Sequence, residues 1–351
     1  MGRGLINIWL IQLLVSGQIW SILVNDRLDR QTKAVWNIAG QDGEKVGVVN
    51  MMVTTPVEKI NGHMVSDYLQ LRNPGGPNVT YPPTLYDEIK PMEITENDVT
   101  NENLSPLFPE PGMPEELSKI TKPPYDIYYN VLQQSFAEDH SAARYGAYIL
   151  HKYHPDLMIV YFHGPDTISH FFWKYYQPNK FWGVPKKDVA MLGELVPRYY
   201  EMTDKLLKPF VDQLDNGATI ILCSDHGFEP ISPLVERLHR LNHTYISGDH
   251  CHMPPGIVVL AGPQIQQGYK LPKMLDVLDI TPTLLWFLGQ PIGEDMDGHV
   301  ALEAVTKAYA LSHPPKFVKT YESTEEGAKS EDGSQMSKQY RERLRSLGYI
   351  Q

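Results

Sequence analysis

The chain has 351 residues, 42% of them hydrophobic, with a formal net charge of −11 and two cysteines. That length accommodates one large α/β domain with an insertion, or two domains. An acidic chain does not draw polyanions through its overall field, which argues against a nucleic-acid duplex as partner, and Cys223 and Cys251 alone cannot make a disulfide framework.

Leu5 to Val24 carries no charged residue. Its length matches a membrane span, so membrane association through residues 5–24 stays open, as does an extracytoplasmic location. Arg3, the apolar run and Val15-Ser16-Gly17 also fit a secretory signal. The preferred reading is a third one, an internal apolar helix in a chain whose true start lies upstream. Ala34, Val35 and Ile38 then recur at helical spacing, Gly40 to Gly43 stops the helix, and Lys45 to Val53 reads as a strand. From about Leu69 to Pro124 prolines and acidic residues dissolve the pattern, which predicts an insertion of short helices forming a cap. Tyr125 to Tyr153 reads as a long helix, and Leu157 to Phe162 as a buried strand stopped by Gly164 and Pro165. Asp188 to Leu214 predicts a long amphipathic helix, Ala218 to Ser224 and Gly256 to Ala261 two more strands, and Lys273 to Leu288 a helix. The expected organisation is an apolar segment over 1–29, a domain over 30–305 with the insertion at 69–124, and a polar tail over 306–351 closing in a short helix.

Chemistry-bearing residues cluster where the strands end. Asp166 and His170 follow the strand at Leu157, and a helical turn puts positions i and i+4 on one face. Asp225 and His226 follow the strand ending at Ser224, and His250 sits in Gly248-Asp249-His250, ahead of the next apolar run. The crevice beyond the carboxyl ends of parallel strands is where open α/β sheets keep their sites. Zinc-type ions take imidazole nitrogen and carboxylate oxygen, three or four donors per ion, so five donors suit two ions. His252 competes with His250, and both cysteines adjoin a candidate donor, although small buried residues are the preferred reading of Cys223 and Cys251.

The ordered set D-x-x-x-H, S-D-H-G-F and G-x-H before G-I-x-x-x-x-G-P resembles the alkaline phosphatase superfamily, in its type I phosphodiesterase / nucleotide pyrophosphatase-like branch. VNMMVTTPVEKINGHMVSD, LDITPTLLWFLGQP with DMDGH, and the closing LRSLGYI strengthen the likeness. The resemblance implies an α/β fold with a mostly parallel sheet and helices on both faces. It implies a hydrolase of small-molecule phosphate esters or nucleotides, using two divalent ions of zinc type. Carried over residue by residue, Asp166, His170 and His250 would hold one ion, and Asp225 and His226 the other. The family also has an early strand ending in a metal-binding Asp, then a Thr or Ser nucleophile at a helix start. Neither is found here; Thr54 and Thr55 match a segment that follows the nucleophile, so a structural role is expected of them. His163 matches no family ligand and is read as lining the pocket. An incomplete hydrolase is therefore expected. The alternatives are a non-catalytic metal- or partner-binding relative, and another hydrolase or mutase of the superfamily. The sulfatase string C/S-x-P-x-R does not occur.

Overall fold

The apolar runs read as strands form the middle of one sheet. In the computed structural model, which describes residues 8–13 (backbone only), 27, 30, 32–67, 79–250, 252 and 254–322, the strands are β1 (Ile8–Leu13), β2 (Val46–Val49), β3 (Gly62–Val65), β4 (Thr80–Tyr81), β5 (Leu157–Tyr161), β6 (Thr219–Ser224), β7 (Glu229–Pro230), β8 (Gly248–Asp249) and β9 (Val258–Ala261). Seven of them make the main sheet in the order β4-β3-β2-β5-β1-β6-β9, while β7 and β8 pair separately. The five inner strands run parallel, and the two edges, β4 and β9, run antiparallel.

Every residue of β5 is buried, as expected of a parallel strand covered on both faces. Alternate side chains feed two cores. Met158 and Val160 pack with Ala142, Tyr145 and Ile149 of the long helix Tyr125–Tyr153 and with Phe210 of the helix Leu195–Val211. Leu157 and Ile159 pack on the other face with Trp36 and Ile38 of the helix Val35–Gln41 and with Leu284 and Phe287 of the helix Ile280–Phe287. The fold is thus mixed α/β with a parallel-rich sheet, as expected. A third core joins the first half of the long helix to Phe171 and Phe172 of the helix Gly164–Tyr176, and draws in Leu104, Leu107 and Leu117 from the inserted segment. The described part of that segment packs on the long helix, where Tyr129 donates to Asn101 Oδ1 (2.7 Å) and Gln133 to the Val99 carbonyl (3.0 Å).

The structure corrects the helical reading of the N-terminal apolar stretch. Ile8–Leu13 is a strand, and it holds the centre of the sheet, pairing with β5 on one side and β6 on the other. An uncharged apolar run suits a buried helix or a buried strand equally. Here the tertiary setting decides, because a strand satisfies the backbone donors and acceptors that β5 and β6 turn towards each other. Residues 5–7 and 14–24 of that stretch lie outside the described residues, and among the described residues no helix is long and apolar enough to cross a membrane. Two further differences are local. The helix expected over 188–214 is two, Lys186–Leu192 and Leu195–Val211, parted at Gly193-Glu194, where glycine gives the weakest support for helix apart from proline. The expected polar tail starts as packed chain: the Trp286 indole donates to the His313 carbonyl (2.7 Å), and Phe317–Val318 pairs with Ile292–Gly293. The closing helix lies beyond the described residues.

The central position of β1 is testable. Proline has no N–H for the ladder and is confined to sheet edges. Leu10→Pro should therefore cost on the order of 3–5 kcal/mol and abolish cooperative unfolding in a thermal melt. A near-neutral effect would place residues 8–13 outside the sheet.

Candidate metal centre

Three strand ends deliver the site. β5 leaves through His163 into the helix Gly164–Tyr176, and that turn is held by Asp139 from the long helix. The buried Asp139 carboxylate accepts the His163 N–H (3.0 Å), the Gly164 N–H (3.1 and 3.2 Å to its two oxygens) and the Tyr199 hydroxyl (3.0 Å). A negative group at a helix N-terminus meets unpaired N–H groups and the positive end of the helix dipole. Glycine is required at 164, since a Cβ there would lie 2.0 Å from Tyr199 Oη and 2.3 Å from Asp139 Oδ2. Burial and the neighbouring Glu138 push Asp139 up to about 7, against the pull of these hydrogen bonds.

The helix so placed buries Asp166 and His170 on one face, with His170 Nε2 3.5 Å from Asp166 Oδ1. His170 Nδ1 donates to the Gly248 carbonyl (2.8 Å), which leaves Nε2 as the donor atom facing the site. That contact explains the glycine of G-x-H. A Cβ on Gly248 would lie 2.4 Å from the Ser169 carbonyl, so only glycine lets this strand lie against the helix. The Ser247 N–H also donates to the His170 carbonyl (2.7 Å). From β6, His226 repeats the arrangement: Nδ1 donates to the Gly227 carbonyl (2.8 Å), and Nε2 lies 3.8 Å from Asp225 Oδ1. His250 stacks on His226 with ring centroids 4.0 Å apart and stands edge-on to His170 at 5.2 Å. The structure thus brings all five expected residues to one place. Its tightest donor group among the described residues mixes the two expected sets: donor atoms of Asp166, His226 and His250 all lie within 4.8 Å of one another.

The electrostatics of the site are dominated by burial. Burial, then Asp225 and Asp249, raise Asp166 well above the usual carboxylate range. Burial, then His250, lowers His170 to about 3, and burial with His226 lowers His250 to about 4. Both imidazoles are therefore neutral near pH 7, the form that binds metals. Both oxygens of Asp166 and Nε2 of His226 are buried and make no hydrogen bond. Buried polar atoms are nearly always satisfied, so such a set calls for a partner. The separations of 3.5 and 3.8 Å are longer than hydrogen bonds. They come close to the spacing of two donors on one zinc ion, about 3.3–3.5 Å for bonds of 2.0–2.1 Å at a tetrahedral angle. These residues fit a divalent ion.

Other expectations resolve around this cluster. His252 is turned to solvent and bound to Glu229, which leaves His250 as the histidine of its segment in the site. Cys223 is buried in β6, where burial and Asp225 push its thiol up to about 12; Cys251 lies outside the described residues. Thr55 donates to the buried Asp67 carboxylate (2.6 Å), while Thr54 donates to the Met51 carbonyl (2.5 Å) and accepts the Asp67 N–H (3.2 Å), a structural role for both. Glu58 of the same loop accepts from Arg30 (2.8 Å) and the Trp36 indole (2.9 Å), fastening the loop to the helix Val35–Gln41. Sequence reasoning missed Asp139, which stands remote in sequence from the turn it holds. It also missed Phe228, whose ring lies 4.9 Å from His170, 5.5 Å from His226 and 5.7 Å from His250 and keeps the imidazoles in apolar surroundings.

A parallel-rich α/β sheet with histidines and carboxylates gathered beyond its strand ends is consistent with an alkaline phosphatase-like fold. The chain belongs to the type I phosphodiesterase / nucleotide pyrophosphatase family, which matches residues 17–274. No curated protein and no solved structure matches it.

Asp139 yields a pH-dependent prediction. Its folded value of about 7 stands above the roughly 3.9 of an unfolded aspartate, so the folded chain keeps a proton that the unfolded chain releases. Its contribution to stability is full below about pH 4 and is lost as pH rises towards 7. Asp139→Asn should cost about 1–3 kcal/mol in acid, where its amide turns a donor towards donors. The gap to the parent chain should narrow between pH 4 and 7 in urea titrations; a gap independent of pH would refute the account.

Proposed function

We propose that this chain is a divalent-metal-dependent phosphodiesterase/nucleotide pyrophosphatase-like hydrolase acting on small phosphate esters or nucleotides. In this reading Asp166, His170, Asp225, His226 and His250 hold two ions of zinc type. The observation that carries it is the Asp166 carboxylate, buried without a hydrogen bond among neutral imidazoles. Family membership supports phosphoric ester chemistry. When bound, such ions supply Lewis acidity towards phosphoryl oxygens and lower the pKa of an attacking oxygen. The chain's own residues do the positioning. Backbone carbonyls of Gly248 and Gly227 aim His170 and His226, Asp139 sets the helix that carries Asp166, and Phe228 limits water. Cations held here would also reverse the sign of the field that a chain of net charge −11 presents to an anionic substrate.

One observation favours a second reading, a metal-binding relative without turnover. The carboxyl end of β1 lies between those of β5 and β6, yet the sequence from Met1 to Asn25 contains no carboxylate, and the candidate hydroxyls of the 54–55 segment are engaged by the Met51 carbonyl and by Asp67.

Two measurements separate these. Zinc loaded onto the purified chain should reach two ions per chain by elemental analysis, and Asp166→Ala combined with His250→Ala should abolish tight binding; unchanged stoichiometry in the double variant would sink the ligand assignment. On an aryl phosphodiester, the zinc-loaded chain should turn over below the ordinary range of ~1–10³ per second, because no nucleophile has been found. Turnover within that range, lost in Asp225→Asn, would show that the chain contains its nucleophile. Zinc binding with no turnover at all would establish the second reading.

A further inference from the structure

His163 is the residue of the site that the family pattern leaves unassigned. It lies two residues beyond β5, immediately before the helix Gly164–Tyr176, and its side chain is 10% exposed. Asp139 holds its backbone N–H, so the position is fixed from behind. Its Nε2 lies 3.8 Å from Asp166 Oδ2, while His170 Nε2 lies 3.5 Å from Asp166 Oδ1. The carboxylate therefore sits between two imidazoles, from positions i−3 and i+4 of the same segment, one to each oxygen. A separation of 3.8 Å is too long for a hydrogen bond between these atoms. It is within a few tenths of an ångström of the spacing of two donors on one zinc ion, about 3.3–3.5 Å.

We propose that His163 is a further nitrogen donor of this centre, serving the ion on the Oδ2 side of Asp166. Asp166 would then offer a carboxylate oxygen towards each of the two imidazoles, Oδ1 on the side of His170 and Oδ2 on the side of His163. The assignment rests on the metal reading above.

The test compares zinc affinity, by competition with a chromophoric chelator, and the ligand set, by X-ray absorption of the zinc form and visible absorption of the cobalt form. His163→Ala and His163→Phe should each weaken one of the two ions at least about ten-fold, in line with losses at metal-site residues. The imidazole count per metal should fall and the cobalt bands should change. His163→Asp, which restores an oxygen donor, should recover part of the affinity, whereas His163→Phe restores only volume and should not. Circular dichroism establishes that each variant is folded. A folded parent chain that binds no zinc overturns the metal reading and this inference with it. Zinc binding lost in Asp166→Ala but unchanged in His163→Ala, with the same cobalt spectrum, overturns this inference alone. Equal loss in His163→Asp and His163→Phe, with an unchanged imidazole count, reduces His163 to packing and likewise overturns it.

Discussion

The buried Asp139 carboxylate is the interaction on which the rest of the site depends. It gathers two backbone N–H groups and the Tyr199 hydroxyl at one point, tying together the long helix, the turn after β5 and the helix Leu195–Val211. No apolar contact could do this, because the N–H groups of a helix start need an acceptor and burial makes an unmet one expensive. The direction of the helix Gly164–Tyr176 follows from that anchor, and with it the placement of Asp166 and His170. Gly164 is the counterpart of the anchor, since any side chain there would occupy the carboxylate's own space.

Around that helix the molecule concentrates carboxylates and imidazoles where water is scarce. In a low dielectric neither group favours its charge, so the histidines rest neutral and Asp166 resists ionising. A divalent cation reverses this preference for the carboxylate while accepting the neutral imidazoles as they stand. In the proposed reading, the same burial that is unfavourable for the isolated groups would favour a doubly charged guest, with His170 and His226 oriented by the Gly248 and Gly227 carbonyls.

Much of this was legible in the sequence, because the signals were local. Leu157 to Tyr161 and Thr219 to Ser224 are continuous apolar runs, and such runs bounded by Gly, Pro or Asp mark buried parallel strands. Asp166 and His170 share a helix face by periodicity alone. The glycine of G-x-H was recognised as part of a pattern, but its reason, the closeness of Ser169, exists only in three dimensions. Other features were out of reach for the same reason. Ile8–Leu13 has a composition that fits helix and strand alike, and strands far along the chain decide between them. Asp139 looks like any acidic residue of an amphipathic helix until the turn it meets is known, and His163 looks like a residue closing a strand until Asp166 is placed beside it.

The place of β1 carries a consequence for how the chain is made. Among the described strands the earliest in the sequence is the central one, and its partners are β5 and β6: Ile8 pairs with Leu157 and with Thr219. Neither neighbour exists until much of the chain has been synthesised. Long-range parallel pairing of this kind is slow, and it exposes apolar segments to aggregation while they wait. The centre of the sheet is thus closed by sequence-distant pairing, and Ile8–Leu13 has no strand partner until both β5 and β6 are in place.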